Sequence, residues 1–134
     1  MRRPLVWRSA LVAAAVTLGC TEPTSPLDVF GTYTLVSVDA KPLPFALPQT
    51  GPTRVELLDD VVFLSTSATY SEVGHKRYTT GGIVSLAAPV DAGTFSRRGT
   101  AITMESLLFG QWAGTIEDGT LTLVQSGYTL VYKH

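Results

Sequence analysis

The chain has 134 residues, of which 45% are hydrophobic and 16% are charged, and its formal net charge at pH 7 is −1. This length suits a single domain, and the lack of a basic surplus argues against nucleic acid as a partner, because nucleic-acid-binding modules usually carry a basic stripe. The single cysteine excludes a disulfide within these residues, so the hydrophobic core has to stabilise the fold without one.

Residues 1–19 have the pattern of an export signal. Their positive start consists of Arg2, Arg3 and Arg8. The apolar run at residues 10–18 is too short to cross a bilayer but suits the hydrophobic region of a signal peptide. The signal leads directly to Cys20. An ordinary secretory signal, cut after Ala15 or Gly19, is the alternative interpretation.

Residues 17–20 (Thr-Leu-Gly-Cys) resemble the lipobox of bacterial lipoproteins, in which a small residue precedes a cysteine that is acylated and becomes the first residue of the mature chain. The resemblance implies that acyl chains such as palmitate on Cys20 hold the protein at a membrane, since several chains anchor stably where one binds marginally. By the same resemblance, Thr21 in the place of an aspartate favours the outer membrane over the inner membrane and leaves either leaflet open.

Residues 20–29 contain two prolines among small polar side chains, which predicts an extended, lipidated tether ahead of a domain at residues 30–134. Beyond residue 30 no helical period is sustained. Short runs rich in Val, Thr, Tyr and Leu alternate with Gly, Asp, Ser and Pro, which is typical of strands and turns. The predicted fold is therefore all-β.

The pattern predicts a meander of about eight to ten short strands. They are residues 31–38, 53–58, 61–65, 69–79, 83–88, 93–97, 100–105, 111–117, 120–125 and 128–133. Residues 42–52 contain four prolines, which cannot all sit in a ladder, so an ordered loop or lid over one end of the sheet is predicted there. Asp59 and Asp60 are predicted to form a polar turn between two strands.

Closure into a small antiparallel barrel is the predicted arrangement, because it removes the exposed edges of such a meander. Alternation along the strands indicates the side chains that share a face, for example Val61 with Phe63. An immunoglobulin-like sandwich is the alternative fold, with less support because its Cys, Trp, Cys spacing is absent.

Residues 30–38 (Phe-Gly-Thr-Tyr-Thr-Leu-Val-Ser-Val), together with the segments 112–123 and 128–132, resemble the small lipocalin-like envelope lipoproteins of bacteria. Gly31 and Tyr33 match the Gly-x-Trp signature of the first lipocalin strand, with tyrosine in place of tryptophan. The resemblance implies that Lys133 packs over this aromatic ring as a cation–π pair. It also implies a barrel interior that is either filled by side chains or holds one small ligand.

No catalytic, metal or cofactor site is predicted. His75 and His134 are the only histidines, and no Gly-x-Ser-x-Gly motif accompanies them. Asp59 and Asp60, with Glu56 nearby, lack the ligand spacing of a calcium loop. We therefore expect the protein not to be an enzyme.

Two groups of apolar side chains are candidates for binding. The aromatic residues that could line a pocket, although most also suit the core, are Tyr33, Phe63, Tyr70, Phe95 and Trp112. The residues of predicted loops that could form an exposed patch are Phe45, Leu47 and Phe109.

These groups support two functions. The first is a binding module that takes a small apolar ligand in the barrel mouth, gated by residues 42–52. The second is a structural or inhibitory envelope protein that contacts another protein through its loops and outer wall. A cavity of about 300 Å³ or more lined by aromatic residues would favour the first, and a solid core with an exposed loop patch would favour the second. We favour the binding module over the structural or inhibitory envelope protein.

Overall fold

A computed structural model describes residues 29–134. The predictions of a signal peptide at residues 1–19, of acylation at Cys20 and of a tether at residues 20–29 concern a part of the chain that lies outside this range, except for Val29. Val29 is buried against the barrel. No helix among the described residues is long and apolar enough to cross a membrane.

The described chain is a series of β-strands. They are β1 (Gly31–Val38), β2 (Lys41–Pro42), β3 (Phe45–Ala46), β4 (Thr53–Leu64), β5 (Thr69–Thr80), β6 (Ile83–Ala87), β7 (Val90–Arg98), β8 (Ala101–Ser106), β9 (Gly110–Glu117), β10 (Thr120–Gln125) and β11 (Tyr128–Lys133).

Eight of these strands form a closed antiparallel barrel. Its strand order is β1, β11, β10, β9, β8, β7, β5 and β4, and the ring closes because β1 pairs with both β11 and β4. The predicted all-β meander barrel is confirmed. The immunoglobulin-like alternative was wrong, since a single sheet closes on itself.

Glycines allow the barrel wall to pack closely at two points. A Cβ atom on Gly93 would lie 1.9 Å from the carbonyl oxygen of Glu105, and one on Gly114 would lie 1.9 Å from that of Thr122. Any other residue would force the backbone of the neighbouring strand to move, so the local geometry of the ring depends on these two glycines.

β4 runs without a break through Asp59 and Asp60, where the sequence predicted a turn. The predicted turn was wrong because the chain makes a bulge there instead: the register with β5 shifts between Leu57 and Asp59. The bulge adds one residue to β4, and strand pairing continues on both sides of it. Asp60 consequently points into the barrel and is only 3% exposed.

The same bulge reverses which residues of β4 face the core. Val62 and Leu64 are buried, whereas Phe63 is 48% exposed on the outer surface. The expected pairing of Val61 with Phe63 on one face holds, but that face is the outer one. A single inserted residue produces this reversal because side chains alternate with a period of two.

The barrel has a closed end, at Gly31, His134 and the short turns that join β4 to β5, β7 to β8 and β9 to β10. Tyr33 is fully buried there, and its hydroxyl donates to the carbonyl oxygen of Val29 at 3.0 Å. The ring of His134 packs edge-on against Tyr33, with 5.1 Å between ring centroids. Lys133, which the lipocalin-like resemblance placed over Tyr33, donates from Nζ to the hydroxyl of Thr120.

At the opposite, open end, β4 and β5 continue beyond the barrel. The first residues of β4 pair with β3, and the last residues of β5 pair with β6, which gives a projecting sheet in the order β3, β4, β5, β6. Residues 42–52, predicted to be a loop or lid, include the end of β2 and all of β3 at this end of the barrel.

Candidate functional site

A cavity of about 320 Å³ lies at the open end of the barrel. The end of β1, the start of β7 and the turns that join β8 to β9 and β10 to β11 surround it. Its apolar wall includes Phe45, Leu47, Phe109, Trp112, Tyr128 and Leu130. Its charged lining residues are Asp60, Glu72, Lys76 and Asp91. The cavity therefore combines an apolar wall with an acidic base.

Aromatic contacts hold the wall of the cavity in place. The ring of Phe45 packs edge-on against Tyr128, with 5.8 Å between centroids, and Trp112 packs against Tyr70 at 6.0 Å. Such aromatic pairs add to the stabilisation from burial. Phe109, in contrast, is 65% exposed at the rim. The cavity is therefore packed by aromatic contacts on one side and open to solvent on the side of Phe109.

Asp60 projects from β4 into the base of the cavity. Its Oδ2 accepts a hydrogen bond from the hydroxyl of Tyr132 at 2.9 Å, and its Oδ1 is buried without a hydrogen-bond partner among the described residues. Burial raises the pKa of the Asp60 carboxyl, while hydrogen bonds from its neighbours lower it.

Glu72 on β5 faces the same region, and its Oε2 is also buried without a partner in the described chain. Burial is the main cause that raises the pKa of Glu72 to about 9, and the negative charge of Asp60 is the second cause. The two carboxyl groups lie close enough to hydrogen-bond when one of them is protonated. At neutral pH the pair therefore retains a proton, which reduces the repulsion between them.

Asp91, at the start of β7, has both oxygens satisfied. Its Oδ2 accepts from the hydroxyl of Tyr70 at 2.6 Å, and its Oδ1 accepts from Ser106 Oγ at 2.8 Å. Ser106 Oγ in turn accepts hydrogen bonds from the backbone N–H groups of Leu108 and Phe109. Asp91 thus connects the base of the cavity to the turn that carries Phe109.

Lys76 is the one basic residue that lines the cavity in the part of the chain that the structure describes. Its positive charge lowers the pKa of both Asp60 and Glu72, but burial outweighs that effect at both carboxyl groups. Burial raises the pKa of the Tyr70 and Tyr132 hydroxyl groups, which therefore remain hydrogen-bond donors at neutral pH.

Glu56, which the sequence places near Asp59, belongs to an ion-pair cluster outside the cavity. Its Oε2 accepts from Arg77 Nε at 2.8 Å and its Oε1 from Arg54 at 2.9 Å. The hydrogen bond from Arg77 is the main cause that lowers the pKa of Glu56. Within residues 29–134, no group of three or more His, Cys, Asp or Glu side chains is arranged to hold a metal ion.

The structure separates the five aromatic residues that the sequence proposed for a pocket. Trp112 lines the cavity. Tyr70 does not line it, but packs against Trp112 and donates a hydrogen bond to Asp91. Tyr33 is in the core of the closed end, Phe95 is buried with its ring 6.4 Å from that of Phe30, and Phe63 lies on the outer surface. None of these last three lines the cavity.

The residues proposed as an exposed loop patch come together at the cavity. Phe45, Leu47 and Phe109 all line it, although they belong to separate segments of the chain. Phe45 is buried and Leu47 is half-buried, so only Phe109 is well exposed. The two candidate groups thus contribute to one site.

The acidic base was missed by the sequence interpretation. A local signal was present on β5, because Tyr70, Glu72 and Gly74 share a face by alternation and Tyr70 is a typical inward-facing residue. No equivalent signal identified Asp60, whose direction depends on the bulge in β4.

The fold and this cavity together define the class of the molecule: a small, closed, eight-stranded antiparallel barrel with one open end. Comparisons with protein-family models, with curated proteins and with solved structures found no match to this chain. The chemistry of the cavity is therefore the main guide to the function of the protein.

Proposed function

We propose that this protein is an exported, membrane-anchored binding protein that holds a small, mainly apolar ligand in the open end of its barrel. The cavity supports this proposal more than any other feature, because its volume of about 320 Å³ lies within the usual range for ligand pockets. Protein interiors normally leave few voids larger than a water molecule. A barrel whose role was only structural would be expected to fill this space with side chains.

The anchor in this proposal is Cys20, carried by the lipobox-like residues 17–20. β1 begins at the closed end of the barrel, so the tether joins the domain at the end opposite the cavity. The tether predicted at residues 20–29 would span at most about 30 Å if fully extended. The closed end would then face an outer membrane and the cavity would face away from it. The proposal includes no catalytic step and no cofactor, in keeping with the lipocalin-like resemblance.

A second candidate function is contact with another envelope protein. It is favoured by exposed apolar side chains on β6 and on the turn between β8 and β9. The most exposed are Ile83, Leu86, Leu107 and Leu108. Apolar groups that cluster on a surface often mark an interaction site. This role is compatible with ligand binding, because Val90 and Phe109, which adjoin these segments, line the cavity.

Filling the cavity tests the proposed ligand site. Gly74 lines the cavity, and a Cβ atom there would make ordinary contacts of 3.5 Å with Asp59 and Asp60. We expect Gly74→Leu to place its side chain in the cavity and to reduce the affinity for hexanol, a small apolar probe, by about tenfold or more. The measurement is fluorescence of Trp112 in the processed, acylated protein in lipid nanodiscs, since Trp7 is removed with the predicted signal peptide.

Gly51→Leu is the matched control for this substitution, since no atom lies within 4 Å of a Cβ at that position. It should leave hexanol binding unchanged. If hexanol produces no saturable change in Trp112 fluorescence, or if both variants bind it as the unmodified chain does, the proposed ligand site is wrong.

A further inference from the structure

Two buried carboxylate oxygens at the base of the cavity have no hydrogen-bond donor within the described chain apart from the proton that the two carboxyl groups can share. They are Oδ1 of Asp60 and Oε2 of Glu72. Both residues line the cavity, and Asp60 is only 3% exposed to solvent. When both groups are ionised, these buried acceptors have no donor, which is unfavourable, so in that state the position suits a group that donates hydrogen bonds.

The charges around these oxygens favour a cationic donor. Three acidic residues line the cavity, and Lys76 is the one basic residue that does so among residues 29–134. Asp91 already accepts two hydrogen bonds, from Tyr70 and Ser106. The acceptors that remain belong to Asp60 and Glu72, and Tyr132 supplies a donor to only one of their oxygens.

A proton occupies this position when no cation is present. Burial and the charge of Asp60 raise the pKa of Glu72 to about 9, so Glu72 keeps its proton near neutral pH. A cationic donor between the two groups would stabilise both carboxylates and would replace that proton. Binding of a cation would therefore release a proton, whereas binding of a neutral molecule would not.

The wall above the carboxyl groups fits the remainder of such a ligand. Phe45, Trp112 and Tyr128 present aromatic and apolar surface, and aromatic faces also attract cations. An anionic ligand would have to approach Asp60 and Glu72 against their charge. The cavity is therefore suited to a molecule with an apolar body and a positively charged, hydrogen-bonding end.

We propose that the ligand is an amphipathic amine whose ammonium group binds between Asp60 and Glu72 while its apolar part lies against Phe45, Trp112 and Tyr128. This inference rests on the proposed binding function and adds to it the chemical class of the ligand's polar end.

The test compares hexylammonium with hexanol, which has the same alkyl chain and no charge. Both are titrated into the processed, acylated protein in lipid nanodiscs, with Trp112 fluorescence and calorimetry as readouts. We expect hexylammonium to bind about tenfold or more tightly than hexanol, because a charged hydrogen-bond donor meets buried carboxyl groups.

The pH dependence gives a second readout that needs no variant. Binding with release of one proton should raise the affinity for hexylammonium by about tenfold per pH unit, as long as the pH stays below the pKa of Glu72. A primary alkylammonium keeps its proton to about pH 10, so its own titration does not interfere. The affinity for hexanol should be independent of pH over the same range.

Glu72→Gln should lower the ratio of hexylammonium to hexanol affinity by about tenfold and remove the pH dependence. Asp60→Asn serves as a second variant if Glu72→Gln does not fold. Glu105→Gln, an exposed change of the same chemical type on β8, should leave both affinities and the pH dependence unchanged.

The outcomes separate this inference from the proposed function. If hexanol binds but hexylammonium binds no more tightly, or binds with no dependence on pH, the amine proposal is overturned and the apolar ligand site stands. If Glu72→Gln leaves the affinity ratio as it was, the amine proposal is also overturned. If neither probe binds, the proposed function itself fails.

Discussion

Glu72 shares its strand face with Tyr70 and the cavity-lining Gly74. Its register partner on β4 is Val62, and Asp60, which pairs with Gly74, lies diagonally across from it. This environment raises the pKa of its carboxyl to about 9, mainly through burial and next through the charge of Asp60. A group that holds its proton more tightly in the folded state stabilises that state at low pH, and the stabilisation is lost as the pH rises toward its folded pKa.

At this residue scale we predict that the free energy of unfolding falls between about pH 5 and about pH 9, because unfolded Glu72 ionises near pH 4.3 and folded Glu72 near pH 9. Glu72→Gln should reduce that fall and should be more stable than the unmodified chain near pH 8, by on the order of 1 to 3 kcal/mol. Urea unfolding at a series of pH values measures both effects.

Glu105→Gln is the control for this experiment, since Glu105 is exposed and outside the cavity. A stability profile of Glu72→Gln that parallels that of the unmodified chain across this range would contradict the prediction. It would mean that burial of Glu72 does not disfavour its ionisation.

At the scale of elements, β6 differs from every strand of the barrel. All five of its residues are exposed, and it pairs only with β5. Ile83 and Leu86 are 76% and 72% exposed. An edge strand with apolar side chains is a surface on which another chain can pair. The stability of the barrel should depend little on these side chains, because they bury almost no area within it.

We predict that Leu86→Ser changes the free energy of unfolding by less than about 0.5 kcal/mol. If β6 contacts another envelope protein, the same substitution should reduce the yield of site-specific cross-links formed from Ile83 in intact cells. Val124→Ser removes a comparably exposed apolar side chain from the barrel wall and is the matched control.

Two results would contradict this view of β6. Destabilisation of more than about 1 kcal/mol by Leu86→Ser would show that the strand packs against the domain. If Val124→Ser reduced the cross-link yield as much as Leu86→Ser does, the contact would not involve β6 in particular.

At the scale of the whole molecule, the two ends of the barrel have separate roles in the proposal. The chain enters at the closed end, beside Tyr33 and His134, while the cavity and the projecting sheet occupy the other end. Attachment through Cys20 would therefore leave the cavity accessible from the side away from the membrane.

We predict that Cys20→Ser moves the protein from the membrane fraction to the aqueous fraction of the cell envelope, because it removes the acceptor for the acyl chains. Fractionation followed by immunodetection measures the distribution. Thr21→Ser, a conservative change at the next residue, should leave the protein in the membrane fraction. Retention of Cys20→Ser in that fraction would refute the lipid anchor.

Most of the strands followed from the sequence, because alternation and turn residues are local signals. The predicted strands 31–38, 120–125 and 128–133 coincide with β1, β10 and β11. Closure into a barrel was also predictable, since a meander of this length must pair or protect the backbone groups of its edge strands. In β4 the prediction failed at Asp59 and Asp60, where two polar residues that resemble a turn lie in and beside a bulge.

The composition of the site required the tertiary structure. Phe45 and Phe109 are far apart in the sequence, and each was recognised as an apolar residue in a predicted loop, but the cavity they share exists only after the ring closes. Trp112 was a candidate on its own strand, whereas Tyr33 and Phe95 have the same local pattern and lie away from the cavity. Alternation gives the face of a strand on which a side chain lies and not the end of the barrel that it reaches.

The sequence by itself determined the all-β class, the single-domain size and the export-signal pattern, because composition, hydrophobic runs and turn residues act locally. Only the tertiary structure decided that Asp60 and Glu72 meet in a buried position. One extra residue in β4 turns Asp60 inward, and the pairing of β4 with β5 then places it near Glu72. The acidic base of the cavity, and with it the proposed class of ligand, depends on that pairing.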